Sequence, residues 1–220
     1  MSESVAPPVP AGGAGLRRTL VVVMAVAVLA LAGTAGWLIG NGSSSGTSGP
    51  SAVDVGFAQD MSTHHVQAIT MAAYERDNTT DSALKVLAFD IESSQNFQVG
   101  EMQGWLDEWG KSRNNPQPMA WMGDQHMVMG AGGLMPGMAT PAQMNKLEAL
   151  HGKALDVLFL QLMIHHHQGG LPMARYAVAH AKDASVRALA GAMISAQSAE
   201  IIQMEQTLRA LGASSLPPPS

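Results

Sequence analysis

Residues Phe159–Ala174 read FLQLMIHHHQGGLPMA, with His165, His166 and His167 in a row between Met163 and Met173. No other stretch of the chain is as dense in side chains able to bind a metal. It has a counterpart: Phe57–Ala72 read FAQDMSTHHVQAITMA. A shift of about 102 positions aligns the two segments without a gap. Phe57 falls on Phe159, Met61 on Met163, His64 on His166, His65 on His167, Met71 on Met173 and Ala72 on Ala174. Beyond them Tyr74 falls on Tyr176, Asp81 on Asp183, Leu87 on Leu189, Gln95 on Gln197, Met102 on Met204, Leu106 on Leu208 and Gly110 on Gly212. Roughly 16 of roughly 54 ungapped positions are identical, which marks a duplicated unit, residues 57–110 and 159–212.

Each copy reads as a helical hairpin. Met61, His64, Ala68 and Met71 are spaced three, four and three apart and share one helix face. That helix begins near Val53, with Asp54 as a candidate cap, and runs to about Asp77. Asp81 is the N-cap of a second helix from Ser82 to about Trp109, and Gly110 stops it. Leu84, Leu87, Ile91, Gln95, Met102 and Trp105 or Leu106 form its inward stripe. In the second copy Asp183 and Gly212 stand at the corresponding ends. Thr140-Pro141-Ala142-Gln143 starts a further helix as a capping box with proline at the first helical position. It is expected to reach His151 and stop at Gly152. Gly169, Gly170 and Pro172 predict a kink or break in the second copy, because Pro172 has no N–H to give the Gln168 carbonyl. Two helical hairpins make residues 53–212 all-α, followed by a tail, 213–220.

Between the copies, residues 111–139 form a Met-rich connection. Met119, Met122, Met127, Met129, Met135 and Met138 cluster there with His126. Glycines and prolines exclude a regular helix. Because loops lie on the surface, the segment is expected to present its methionines, either to collect Cu(I) or to meet a protein partner.

The N-terminal part is of another kind. Residues 1–18 are rich in Pro, Gly and Ala and end in Arg17-Arg18; they read as a disordered cytoplasmic N-terminus. Thr19–Gly40 carries no charge and has the length of a transmembrane helix. The preceding arginines place its N-terminal side in the cytoplasm, so the bundle faces outward as a single-pass membrane protein. The alternative is a signal peptide cleaved near Ala30-Leu31-Ala32, which gives a secreted domain. Residues 41–52, rich in Ser and Gly, are a flexible linker.

A net charge of −5 and 5% aromatic residues exclude a nucleic-acid binder, which needs a basic face and stacking platforms. There are no cysteines and 16 methionines. Thioethers form no disulfides, need no deprotonation and select Cu(I), while neutral imidazole suits Cu(II) and Zn(II). A mixed set can hold copper in both oxidation states. Any one methionine is also a good core filler, and any one pair of histidines could be satisfied by Gln95 or Gln197. The candidate ligands are His64, His65, His166, His167, Met61, Met71, Met163 and Met173. His165, His126, Met127 and Met129 are auxiliary candidates. Histidine ligation predicts that Cu(II) affinity falls below about pH 6.

With these motifs in view, the chain resembles the bacterial domain-of-unknown-function family 305. Its pattern is carried by Phe159, Leu160, Met163, Ile164, His166, His167, Gln168, Gly169, Met173 and Ala174. A degenerate earlier copy has Phe57, Met61, His64, His65, Gln67, Met71 and Ala72. The resemblance implies a ferritin-like four-helix bundle, secreted or membrane-tethered, and some members bind copper. The chain departs from the pattern at His165, Gly170 and Pro172.

Three functions remain in play. The first is copper sequestration or delivery, with zinc as an alternative metal. The second is a non-metal structural or interaction bundle of the envelope. The third is a carboxylate di-iron oxidase. The third needs two Glu-x-x-His motifs and two further Glu; only Glu148–His151 fits, and Gln95 and Gln197 stand where carboxylates would. There is no G-x-S-x-G or phosphate-binding loop, so no enzyme is expected.

Overall fold

The computed structural model describes residues 49–125 and 129–219. The expected N-terminus and transmembrane helix, most of the linker, and His126 and Met127 lie outside the described residues. Four long helices dominate: α1 (Ala52–Asn78), α2 (Ser82–Glu108), α4 (Gly152–His180) and α5 (Ala184–Ala210). A short α3 (Pro141–Glu148) precedes α4, and two 3-10 turns (Ala120–Gln125 and Ala131–Gly133) punctuate the connection. Helices α1 and α2 form one hairpin, α4 and α5 another, and α1 packs on α4. The described residues contain no strand. None of their helices is long and apolar enough to cross a membrane.

Local chemistry explains the ends. Asp81 accepts from the Ala83 and Leu84 amides, and Asp183 from the Ser185 amide. Past each hairpin Gly110 (φ 62) and Gly212 (φ 74) turn left-handed, and the next amide bonds back, Lys111 to Leu106 and Ala213 to Leu208. Thr140 and Gln143 form the expected capping box. Three boundaries differ from expectation. Ser51, not Asp54, caps α1, and Asp54 completes its box from the third position. The freed Asp54 Oδ1 accepts the Asp183 amide at 3.0 Å. Helix α3 stops at Glu148, and Gly152 (φ 57) opens α4 instead of ending α3.

The hairpins are tied at both ends. Asp54 on α1 holds the start of α5. Its counterpart Asp156 on α4 accepts from Thr79 Oγ1 at 2.8 Å, beside the start of α2. Glu75 is fully buried against Asp156, and burial, reinforced by that neighbouring carboxylate, pushes it up to about 8.

Two apolar clusters form the core. One holds Met71, Leu84, Leu87, Ile91, Leu155, Phe159, Met163, Met204 and Leu208. The other holds Phe57, Met61, Met102, Leu106, Met173, Val186, Leu189 and Met193. Helices α1 and α4 run antiparallel, so each helix passes from one cluster to the other and crosses the boundary at its histidines.

The described methionines of the connection are not presented to solvent. Met119, Met122 and Met135 are buried in the second cluster, and Met129 and Met138 pack against it half-buried. Side chains along one face of α1 hold the segment down. Gln59 donates to the Ser112 carbonyl at 2.6 Å. Asp60 accepts from Asn115, the Met119 amide and the Trp121 indole at 2.6–2.9 Å. Gln67 makes a two-way pair with the Ala139 backbone. Residues 60 and 67 lie two turns apart on one face and residue 59 borders it, so one side of α1 holds the segment at Ser112, Met119 and Ala139.

Pro172 does not break α4, which is helical throughout 152–180. The glycines before it serve close approach. A Cβ on Gly169 would lie 2.1 Å from the Pro136 carbonyl oxygen, and one on Gly137 (φ 80) 2.5 Å from that of His165. Only glycines let the connection lie backbone-to-backbone on the helix. Gly169→Ala should therefore destabilise the protein by roughly 1–3 kcal/mol, whereas Gly100→Ala, which meets nothing within 4 Å, should stabilise it slightly. Chemical denaturation of both variants checks this; equal effects would refute the packing assignment.

Glu75 gives a second prediction. Its folded pKa is raised from an ordinary 4.5 to about 8, so the folded state keeps a proton the unfolded state has lost. The stability this supplies is full below about pH 4.5 and is lost as pH rises through 8. Denaturation midpoints across pH 6.5–9 should show that slope in the parent and a weaker one in Glu75→Gln.

Candidate metal centre

The eight primary candidates are all buried, at 0–1% exposure. The helices that cross at the boundary between the core clusters bring the four histidines together. The His64 and His166 rings lie 3.8 Å apart, centroid to centroid, and His167 lies 6.3 Å from His166. The methionines divide into two pairs: Met61 and Met173 in one cluster, Met71 and Met163 in the other. Along α1 and α4 the histidines fall between them. Gln95, Gln98 and Gln197 are buried at the same level of α2 and α5. The result is a polar layer across the middle of an otherwise apolar bundle.

Each imidazole uses Nε2 for a hydrogen bond. His64 donates to the Pro136 carbonyl and His166 to that of His64, both at 3.0 Å. His65 meets Gln98 Oε1 at 2.8 Å and His167 meets Glu200 Oε2 at 2.6 Å. The expected partners Gln95 and Gln197 are therefore replaced by residues about one turn further along. Gln98 and Glu200 occupy corresponding positions in the two copies. They differ in identity, so a comparison that counts only identities passes over them; their equal separation from the two histidines is the signal that finds them.

The opposite nitrogens, Nδ1 of His64, His65 and His167, are buried without a hydrogen-bond partner. Leaving a buried polar atom unsatisfied costs roughly 1–3 kcal/mol, so three in one layer call for a ligand or a function. Burial lowers His64 to about 4 and His65 to about 3, the latter helped by the neighbouring His64; His166 is held well below the ordinary range for the same reason. These imidazoles are neutral at physiological pH, with no proton to expel before binding. The loss of copper affinity expected near pH 6 accordingly moves to lower pH. Gly170 makes room for this layer, since a Cβ there would lie 3.3 Å from both the His64 ring and Gln197.

As a donor set, imidazole nitrogens and thioethers fit copper better than a hard cation. Among the described residues no three His, Asp or Glu side chains converge on one point, so imidazoles alone do not complete a metal shell. Of the auxiliary candidates, His165 lies apart, its Nδ1 on the Pro217 carbonyl at 3.0 Å. Met129 packs at the edge of the second cluster.

Comparisons with known proteins agree with this architecture. The family described as "Domain of unknown function (DUF305)" matches residues 54–208. A crystal structure of a DUF305 protein from Streptomyces coelicolor, described as secreted, is 42% identical. That alignment covers 75% of this chain and 96% of the other, with a TM-score of 0.69. A DUF305 fragment from Deinococcus radiodurans is 29% identical, covering 74% and 99%, with a TM-score of 0.62. CopM in its Cu(II)-bound form is also 29% identical, covering 71% and 96%, with a TM-score of 0.56; it has been solved with Cu(I) and silver too. No curated protein matches the chain. The matched segment spans the bundle, both histidine pairs and the connection between them: the chain belongs to the DUF305 family.

Proposed function

We propose that the protein binds copper in the central layer, as an extracytoplasmic sequestration or delivery protein and not an enzyme. The observation that carries this is the set of buried, unpartnered imidazole nitrogens between two pairs of buried methionines. His64, His65, His166 and His167 supply nitrogen, and Met61, Met71, Met163 and Met173 supply sulfur. CopM, solved with Cu(I), Cu(II) and silver, supports the choice of metal. The bundle is ferritin-like and arose by duplication of a hairpin; the contacts repeated by Asp54 and Asp156 and by Gln98 and Glu200 support that history. Thr19–Gly40 tethers it to the membrane or directs its secretion, in keeping with the secreted Streptomyces relative. A second reading makes the methionines core filler and the bundle a structural module, and their places inside apolar clusters favour it.

One pair of variants decides between them. Full-length protein is purified after growth with copper, and its copper content and helicity are measured. His64, His65, His166 and His167 changed together to Ala should abolish copper retention while the helices persist. Met61, Met71, Met163 and Met173 changed together to Leu, a volume-conserving swap, should leave the fold intact and weaken Cu(I) binding by about tenfold or more, at least about 1.4 kcal/mol. A leucine variant with parental Cu(I) affinity would make the methionines core filler, and a parent that retains no copper would remove the copper reading.

Acidity supplies a further prediction. Because the folded pKa values of His64 and His65 are depressed to about 4 and 3, their stabilising effect is present above about pH 6.5 and is lost as pH falls toward those values. Metal-free protein should lose stability steadily from pH 6.5 to 4, and bound copper should persist at pH 5. Release of half the copper by pH 6 would contradict the buried-histidine assignment.

A further inference from the structure

His65 and His167 occupy corresponding places in the two hairpins, yet their acceptors differ in charge. His65 Nε2 meets a neutral amide, Gln98 Oε1, at 2.8 Å, and His167 Nε2 meets a carboxylate, Glu200 Oε2, at 2.6 Å. Both rings are fully buried, and both Nδ1 atoms lack a partner. A carboxylate only accepts, so Glu200 fixes a hydrogen on Nε2, and a ring that carries a single hydrogen then has its lone pair on Nδ1. An amide can turn and offer either its oxygen or its NH2 group, so Gln98 is compatible with both tautomers of His65. A carboxylate on the far nitrogen also makes the ligating nitrogen more basic, and its negative charge offsets that of a bound cation. Glu200 is about one-fifth exposed (21%), so it keeps contact with water and carries its charge at less desolvation cost than a sealed carboxylate would.

We propose that Glu200 is a positioning residue that makes the two halves of the layer unequal: it presents His167 Nδ1 to the first copper ion, while His65, held by Gln98, belongs to a weaker second position. This rests on the copper reading above and goes beyond it by assigning an order of filling. The asymmetry is a property of the metal-free protein and can be read there.

The test uses the full-length chain and Glu200→Gln, which keeps an acceptor for Nε2–H and removes the charge. In metal-free protein, 15N NMR of the imidazoles should show His167 as the pure Nε2–H tautomer in the parent and as a mixture in the variant. Anaerobic Cu(I) titration against a chromophoric chelator should show the tightest equivalent weakened about 10–100-fold in the variant, with an unchanged melting temperature without metal. His167→Ala should remove the tight equivalent, and His65→Ala should cost more at the weaker equivalent than at the tight one. A His167 ring protonated on Nδ1, or a Glu200→Gln variant with parental copper affinity, overturns the inference alone. A parent that binds no Cu(I) overturns the copper reading and this inference with it.

Discussion

Four imidazoles closed off from water must each find a hydrogen-bond partner inside the bundle, because an unsatisfied buried polar group costs about as much as several methylene contacts return. Much of the architecture follows from that demand. His64 draws the Pro136 carbonyl over the crossing of α1 and α4. His166 takes the His64 carbonyl, so the two central helices meet through a ring and a backbone oxygen where interlocking aliphatic side chains would ordinarily sit. His65 and His167 reach outward to α2 and α5. The apolar core is thereby cut into two clusters, each holding its own pair of these methionines.

The same demand gives the connection its place. A segment rich in glycine, proline and methionine has little structure of its own, so its path is set by what grips it. Gln59, Asp60, His64 and Gln67 lie along one side of α1 and take its backbone in turn. Gly137 and Gly169 let the segment touch α4 without a side chain between. In the second hairpin Gln161 repeats the first of these contacts, donating to the Ser214 carbonyl at 2.8 Å. The four helices and the connection are one packed object, and the layer is covered by the chain that joins its halves.

The helices were legible because their signals are local. The caps Asp81 and Asp183, the stops Gly110 and Gly212 and the box at Thr140 act within a few residues, and the 102-residue shift repeats across long segments. The family was legible from two motifs. What sequence reading missed was non-local. Pro172 reads as a break when α4 is considered alone, yet the helix is continuous through it. Gly169 and Gly170 read as punctuation, yet they are the surface on which Pro136 and the His64 ring come to rest. The methionines of the connection read as exposed because loops usually are, and the anchoring by α1 that buries them is visible only in three dimensions. Glu200 was hidden for a simpler reason: it matters because the two copies differ there.

Placing thioethers at 0% exposure has a chemical consequence. Methionine sulfur is readily oxidised to the sulfoxide, which is polar and chiral and would disrupt the packing around it. A sulfur that solvent does not touch is out of reach of peroxide dissolved in it. Met61, Met71, Met163 and Met173 are thus shielded by the packing of the two apolar clusters, and a chain with no cysteine has no thiol to lose. Packing alone therefore keeps these four sulfurs out of reach of oxidants dissolved in the solvent.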